Sequence, residues 1–159
     1  MLLADSPEYK FSELCELNLR TELENAGIEV TQRIYCGDNR EWAYRQALQQ
    51  MYLSPELDGI VAFSAQSTVG AADASRYLYR KLTIVGMDIV PDLIKCIEDG
   101  SVSTTVVRNS FGMGYLSVEY ATESLNGEYV PEHKTLSSLV VNRDNLFTTE
   151  VEKVIFAFQ

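Results

Sequence analysis

The feature that most constrains the fold is the regular alternation of strand-like and helix-like segments in the first half of the sequence. Short apolar runs, typical of buried strands, alternate with longer segments whose apolar residues recur every three or four positions, as in helices. Strands are predicted at residues 1–4, 28–35, 60–63 and 82–87, with one helix in each interval. Such an order forms a parallel sheet with right-handed crossovers. The sequence therefore predicts an α/β fold, a parallel sheet with helices on both faces.

The first predicted helix has a recognisable start, end and buried side. Ser12 is its expected N-cap, and Gly27 follows its last turn as a C-terminal stop signal. Cys15, Leu19 and Leu23 recur at four-residue spacing and are expected to form its buried stripe, while its glutamates, Glu16 among them, are expected on the solvent side.

The second and third predicted helices carry different signals. The second extends to residue 52 and opens with a capping-box pattern whose N-cap is Asp38 and whose partner is Glu41. Its inward-facing residues are predicted to be Trp42, Ala43, Ala47, Leu48 and Met51. The third, at residues 68–79, is rich in glycine and alanine, which predicts close packing on the sheet.

Shorter elements fill the second half of the sequence. We predict helices at residues 92–97 and 111–125 and strands at residues 103–107 and 136–141. Residues 147–159 read as an amphipathic, partly helical tail. Its apolar side is predicted to carry Val151, Val154, Ile155 and Phe158.

Composition excludes several classes of function. The formal net charge of −10 argues against nucleic-acid binding, because contacts to phosphates need a basic surface. No apolar run approaches the about 18 residues of a membrane span, and no signal peptide is visible. Cys15, Cys36 and Cys96 are far apart and form no CxxC pair, so neither a zinc site nor a disulfide framework is expected. We expect a cytoplasmic protein without a metal.

Motifs for catalysis are missing from the sequence. Gly112-Met113-Gly114 does not follow a strand in the register of a phosphate-binding loop, and it lacks the later glycine of that loop. The only histidine, His133, lies in a predicted surface loop, and no G-x-S-x-G motif occurs. We therefore expect no catalytic residues, no cofactor and no enzymatic activity. A small flavodoxin-like or response-regulator-like enzyme is the alternative, but its phosphate loop or acidic cluster is not found.

Polar residues follow the predicted strands at their carboxyl ends. Asp5 follows the first strand, Asn39 the second, Ser64 and Gln66 the third, and Asp88 the fourth. Carboxyl ends of parallel strands meet at one sheet edge, where ligands collect. These side chains would form a rim that binds a hydroxylated or amine-bearing small molecule. The alternative is that each residue only caps the following helix.

Motifs around the fourth strand resemble one protein family. Val85-Gly-Met-Asp88 is followed by a short helix, a Thr-Thr segment and a helix that opens with Met113-Gly114. Their order and spacing resemble the type I periplasmic-binding-protein fold, especially the ligand-sensing domains of lac-repressor-like regulators and related sugar-binding proteins. The other stretches that carry the likeness are residues 58–63, 69–72, 93–100, 102–107, 125–127 and 140–145.

The resemblance implies a two-lobed domain that closes on a small molecule, such as a sugar. Residues 1–145 resemble the carboxy-terminal lobe, of which residues 103–126 resemble the crossover to a lobe that is missing here. Residues 146–159 would be a tail or a linker to an output module.

The resemblance also assigns a role to single positions. Asp88 matches the aspartate that bonds ligand hydroxyls in that family. Two positions depart from the pattern: Cys15 stands near the place of an arginine on the first helix, and Ser64-Ala65 replaces Asn-Asp after the third strand.

These features together predict a ligand-binding sensory domain of a bacterial transcriptional regulator or signalling protein. Closure of the lobes would be relayed to an effector domain. The alternative is a ligand-free dimerisation or interaction module. The helix at residues 111–125 would have lost most of its support, so its apolar face predicts a homodimer.

Overall fold

The computed structural model describes residues 1–4, 6 and 10–155, and in this part of the chain six strands alternate with six helices. The strands are β1 (Leu2–Ala4), β2 (Arg33–Tyr35), β3 (Gly59–Ala62), β4 (Thr83–Met87), β5 (Thr104–Val107) and β6 (Leu139–Asn142). The helices are α1 (Lys10–Asn25), α2 (Arg40–Leu53), α3 (Ala65–Tyr77), α4 (Pro91–Glu98), α5 (Ser110–Leu125) and α6 (Thr149–Ile155). No described helix is both long and apolar enough to cross a membrane.

The strands form one sheet in the order β2-β1-β3-β4-β5-β6. The first five run parallel, which confirms the predicted α/β fold, and β6 pairs antiparallel with β5. The reversal arises because the chain leaves the sheet after Val107 and returns at Leu139, which pairs with Val107. Helix α5 is therefore part of an excursion beyond the edge at which β5 ends.

Helices cover the two faces of this sheet unequally. Helix α3 lies on one face, since a Cβ added to Gly86 of β4 would lie 2.5 Å from Cγ2 of Thr68. Helix α1 lies on the other face, where Glu16 Oε2 is 2.8 Å from Nε of Arg33 on β2. The strand order explains this difference, because only the crossover from β1 to β2 moves in the opposite direction across the sheet. By the same rule, α2 and α4 share the face of α3.

Helix α3 is at the centre of the packed face. Nine of its 13 residues are buried. A Cβ on Gly70 would lie 2.4 Å from the carbonyl oxygen of Arg40, so α2 and α3 pack backbone to backbone. The predicted close packing of this small-residue helix is confirmed. The largest fully buried side chains of the fold include Leu2, Leu3, Ile60, Ile84, Leu93 and Ile97.

The arginine that follows α3 holds the end of α2 in place. The guanidinium of Arg80 donates hydrogen bonds to the carbonyl oxygens of Met51 (2.7 Å), Ser54 (3.1 Å), Pro55 (2.5 Å) and Leu57 (2.7 Å). The last carbonyls of a helix have no partner within the helix, and the helix dipole is negative there. A positive charge at this point therefore stabilises the turn that leads into β3.

Two predicted helix starts are wrong by a few residues. Helix α2 is capped by Asn39 and not by Asp38, because Asn39 Oδ1 accepts a hydrogen bond from the backbone N–H of Trp42 at 2.9 Å. Helix α3 starts before residue 68, because Ser64 Oγ accepts from the backbone N–H of Ser67 at 3.2 Å. Where several Ser, Asn and Asp residues are close in sequence, each can cap, and the register of the helix decides which one does.

Other predicted boundaries also differ from the structure. Helix α1 has already begun at Lys10, ahead of the expected cap at Ser12. Strand β2 is limited to Arg33–Tyr35, so residues 28–32 are not strand. The last strand similarly lacks residues 136–138. At the edges of the sheet a strand is paired only over the length of its single neighbour, and β1 and β5 are short.

The predicted sides of α1 and α2 need correction. Glu16 is buried, with only 4% exposed, because Arg20 and Arg33 flank its carboxylate. Leu14 and Leu17 are exposed. Trp42 is also exposed, and its Nε1 donates to the backbone carbonyl of β2 residue 35 at 3.2 Å. The predicted stripe of α1 is only half-buried: Cys15, Leu19 and Leu23.

The two last helices contrast with each other. On α6, Val151 is buried and Val154 and Ile155 pack against the core, as predicted. Phe158, predicted on the same side, lies outside the described residues. On α5 none of the 16 residues is buried.

Candidate functional site

The predicted rim residues lie at the same edge of the sheet, because β1 to β5 are parallel. Asn39 follows β2, Ser64 and Gln66 follow β3, and Asp88 follows β4 directly. Asp5, predicted to follow β1, lies outside the described residues. The structure therefore brings four of the five predicted positions to one edge, and their role toward a ligand stays a prediction.

Asp88 is held in an unusual backbone conformation by the neighbouring strand. Its φ is +60°, in the left-handed region that costs energy for a residue with a side chain. Its backbone N–H donates to the carbonyl of Val106 at 2.9 Å. The hydroxyl of the fully buried Thr105 donates to the Asp88 carbonyl at 2.8 Å. Strand β5 thus fixes where the Asp88 side chain leaves the sheet.

The carboxylate of Asp88 forms a two-point ion pair with Arg108. Arg108 Nε donates to Asp88 Oδ1 at 2.8 Å, and Arg108 Nη2 donates to Asp88 Oδ2. The side chain of Asp88 is 33% exposed and that of Arg108 is 44% exposed. The pair is therefore accessible from the solvent at the carboxyl ends of β4 and β5.

Sequence reasoning did not select Arg108. A usable signal was present, because Arg108 follows β5 directly just as Asp88 follows β4 directly. The rule that polar residues after parallel strands meet at one edge therefore applies to both residues. Strand-by-strand pairing of β4 with β5 then places them side by side.

Two of the predicted rim residues act as helix caps. Asn39 caps α2, and Ser64 caps α3. The hydroxyl of Ser67 donates to the carbonyl of Gly37 at 2.7 Å, which ties the start of α3 to the loop after β2. Gln66 is half-buried in the first turn of α3. The capping alternative thus describes what Asn39 and Ser64 do in this structure.

Helix α1 borders the site from the opposite face. Burial raises the pKa of the Cys15 thiol, and the positive charge of Arg108 lowers it in part. Cys15 stands near the position where the family resemblance implies an arginine.

A large apolar groove adjoins the site along α5, which begins two residues after Arg108. Its volume is about 750 Å³. The rings of Phe111 and Tyr115 stack in it with centroids 6.5 Å apart. Val118, one turn further, is 70% exposed. The other lining residues also belong to α5: Ser110, Gly114, Glu119, Thr122 and Glu123.

The chemistry available at the edge is hydrogen bonding. The carboxylate of Asp88 accepts hydrogen bonds and the guanidinium of Arg108 donates them, so the pair can bind a molecule that carries hydroxyl groups. Within residues 1–4, 6 and 10–155, no group of three or more His, Cys, Asp or Glu side chains could hold a metal ion.

Comparison with known proteins gives a consistent result. The sequence matches the family described as periplasmic binding protein domain over residues 6–129. No curated protein matches the sequence.

Solved structures share the fold of the chain at low sequence identity. A glucose-galactose binding protein from Geobacillus stearothermophilus gives a TM-score of 0.87 at 21% identity, over 92% of this chain and 54% of that one. An ABC transporter solute binding protein from Agrobacterium vitis, bound with alpha-D-tagatopyranose, gives 0.90 at 18% identity, over 97% and 53%. A carbohydrate transporter solute binding protein from Agrobacterium radiobacter, in complex with D-arabinose, gives 0.89 at 18% identity, over 97% and 54%. The chain spans about half the length of these structures.

Proposed function

We propose that this chain, which belongs to the family of periplasmic binding protein domains, binds a small hydroxylated molecule such as a sugar at the carboxyl edge of its sheet. The observation that carries the proposal is the solvent-accessible pair of Asp88 and Arg108 where β4 and β5 end. Structures with the same fold are described as binding tagatopyranose and arabinose, which supports a sugar as the ligand class.

The chain would act as one lobe of a two-lobed domain. Structures with this fold are about twice its length, and α5 exposes Phe111, Tyr115 and Val118 along one groove. An apolar face of this kind needs a cover, and a second lobe over α5 would also close the site. In a solution of this chain alone, self-association through α5 is the alternative, and light scattering at increasing concentration measures it.

A regulatory role is part of the proposal. Ligand-dependent closure of the lobes would be relayed to an effector domain, as in the sensory domains that the sequence resembles. We propose a cytoplasmic location, which is supported by three unpaired cysteines, Cys15, Cys36 and Cys96, the usual state in a reducing compartment. No catalytic activity is proposed.

Solute binding for an ABC transporter is the second candidate role. It is favoured by the descriptions of the structures from the two Agrobacterium species. Fractionation of cells that produce the protein separates the two roles. Recovery in the periplasm would contradict the regulatory role and leave the ligand-binding proposal standing.

The ligand-binding proposal is tested by NMR titration of the 159-residue chain. We expect D-galactose, D-arabinose or D-tagatose to shift amide signals of residues near Asp88 and Arg108. Replacing Asp88→Ala should weaken this binding about tenfold or more, because a hydrogen bond to a charged group is lost.

Asp144→Ala is the matched control for this experiment. Asp144 is an exposed aspartate that follows β6, and because β6 is antiparallel, it lies at the opposite edge of the sheet. Its substitution should leave the titration unchanged. Equal loss of binding in both variants, or no binding of any of the three sugars to the unmodified chain, would refute the proposed site.

A further inference from the structure

One face of the sheet is covered only in part. Successive residues of a strand point to opposite faces, and four that point toward α3 are at most 1% exposed: Ile60, Ile84, Thr105 and Val141. Their neighbours in sequence point to the face of α1 and form a row across β3, β4, β5 and β6. In this row Val140 is 58% exposed, and the others are half-buried. We call the row the valine strip: Val61, Val85, Val106 and Val140.

The number of helices on each face explains the difference. Six strands that lie about 4.8 Å apart make a sheet about 24 Å wide, and a helix with its side chains is about 10 Å wide. Helices α2, α3 and α4 together cover the face on which they pack. In the described part of the chain, α1 is the one crossover helix on the other face, and it meets β2 through Glu16 and Arg33. The valine strip therefore lies where this face has room for a further helix.

Helix α5 lies on neither face of its own sheet, because none of its 16 residues is buried. Tyr115 and Val118 are 60% and 70% exposed, and they share one side of the helix because they are three positions apart. Both line the apolar groove along α5. The same chain thus carries an apolar helix side that its sheet does not cover and an apolar sheet region with room for a helix.

We propose that two copies of this chain form a dimer with twofold symmetry, in which α5 of each copy packs on the valine strip of the other. Each copy then takes the position of the second lobe for its partner. The inference rests on the proposed function in that one respect, and it does not depend on which ligand binds.

A second copy fits better than an unrelated partner because this chain carries both halves of the contact. An unrelated protein would have to supply an apolar helix for the valine strip and an apolar surface for α5 at the same time. In a twofold dimer the same contact forms twice, and the assembly closes without leaving either surface exposed. Neither the four valines nor Tyr115 and Val118 carry a charge at neutral pH, so the contact needs no partner of opposite charge.

The two contacts together have the area of a specific interface. A helix of 16 residues is about 24 Å long and about 10 Å wide, which gives a footprint of about 240 Å². Counted on both surfaces and for both contacts, the buried area comes to about 1,000 Å², the size at which specific interfaces begin. One contact alone would fall well short of this size. The dimer therefore requires both contacts, and damage to either surface should weaken it.

Sedimentation velocity of the 159-residue chain over a range of concentrations tests the dimer. We expect a monomer–dimer equilibrium with a dissociation constant below about 100 μM. Val118→Glu changes the side of α5, and Val140→Lys changes the valine strip. Each should raise the dissociation constant about tenfold or more, because a charge would enter an apolar contact. Both positions are exposed in the single chain, glutamate favours helices and lysine suits edge strands, so both variants should keep the amide spectrum of the folded chain.

Mixing the two variants distinguishes the reciprocal contact from other dimers. In a mixed dimer one contact joins two native surfaces, and the other brings the introduced glutamate and lysine together. A 1:1 mixture of Val118→Glu and Val140→Lys should therefore dimerise more tightly than either variant alone. A dimer held by α5 against α5 would instead be unaffected by Val140→Lys, and that result would overturn the inference, as would a mixture no tighter than the separate variants.

Leu53→Lys is the matched control. Leu53 is 67% exposed at the end of α2, on the face opposite to the valine strip, so its substitution should leave the dissociation constant unchanged. Added salt should tighten the dimer of the unmodified chain, because each copy carries a formal net charge of −10 and salt screens the repulsion between the copies. A dimer that salt weakens, or that Leu53→Lys weakens as much as Val140→Lys does, would contradict an apolar contact at this place.

The possible outcomes separate this inference from the proposed function. A chain that stays monomeric up to about 1 mM overturns the inference even if D-galactose binds. A dimer that meets the expectations above without binding any of the three sugars supports the inference and refutes the proposed ligand site.

Discussion

Helices α3 and α5 have similar lengths, but the helix with the smaller side chains is the more deeply buried of the two. Helix α3 is built mostly of alanine, serine and glycine, and nine of its 13 residues are buried. Helix α5 carries Phe111, Tyr115 and Val118, and none of its 16 residues is buried. The connections explain the difference: α3 links two adjacent parallel strands and must lie on the sheet, whereas α5 leaves and returns at one edge. Apolar side chains on a helix indicate that it packs against something. The order in which the chain connects strands and helices determines whether that partner is this sheet.

Amide hydrogen exchange should show the largest difference between the two helices. Amides of α3 should exchange only through near-global unfolding, and those of α5 through local opening. Because these opening free energies differ by several kcal/mol in a stable domain, we expect protection about a thousandfold higher in α3. Amides of α2, which packs on α3, serve as an internal control. Equal protection of α5 in dilute, monomeric chain would show that the sheet or another element covers it.

The same glycine-to-alanine substitution should have opposite effects in the two helices. Gly70→Ala places a Cβ 2.4 Å from the carbonyl oxygen of Arg40, so it should lower the free energy of unfolding by about 3 kcal/mol. Among the described residues, no atom outside the adjoining helix backbone lies within 4 Å of a Cβ on Gly114. Gly114→Ala should therefore stabilise α5 by up to about 1 kcal/mol. Urea denaturation and circular dichroism measure both. If both substitutions changed the free energy of unfolding in the same direction and by the same amount, the two helices would not differ in packing as described.

The stability of the turn that follows α2 should depend on Arg80. Arg80→Met keeps the apolar stem but removes four hydrogen bonds to backbone carbonyls, and we expect a loss of about 2 kcal/mol in unfolding free energy. Arg45→Met is the matched control, since within the described part of the chain the one ion pair of Arg45 is an exposed i,i+4 contact with Glu41. Its effect should stay within about 0.5 kcal/mol. Similar losses in both variants would mean that the carbonyl contacts of Arg80 contribute nothing specific.

The sheet could be predicted from sequence because each apolar run is short, bounded by turn residues and separated from the next by one helix. The first residues of the helices were predicted less accurately, because Asp38 and Asn39 are adjacent and chemically equivalent as caps. The burial of Glu16 could not be predicted, since its partner Arg33 is distant in sequence and meets it only when α1 lies across β2.

The candidate site was predictable in part for the same reason. Asp88 stood out because it closes a buried run, and its position depends only on its own strand. The position of Arg108 next to Asp88 depends on which strand pairs with β5. The order of the sheet places β5 beside β4. An arginine after a short strand is otherwise typical of a solvated surface.

The paired exit and return of the chain at β5 and β6 has a mechanical consequence. The segment that carries α5 is joined to the sheet by two adjacent backbones, one leaving after Val107 and one arriving at Leu139. Movement of this segment relative to the sheet must bend the backbone at these two joints. Arg108 is the first residue of one joint, and its Nε donates a hydrogen bond to Asp88 at the end of β4. A ligand that touches both residues would therefore bind beside one of the two joints of this segment.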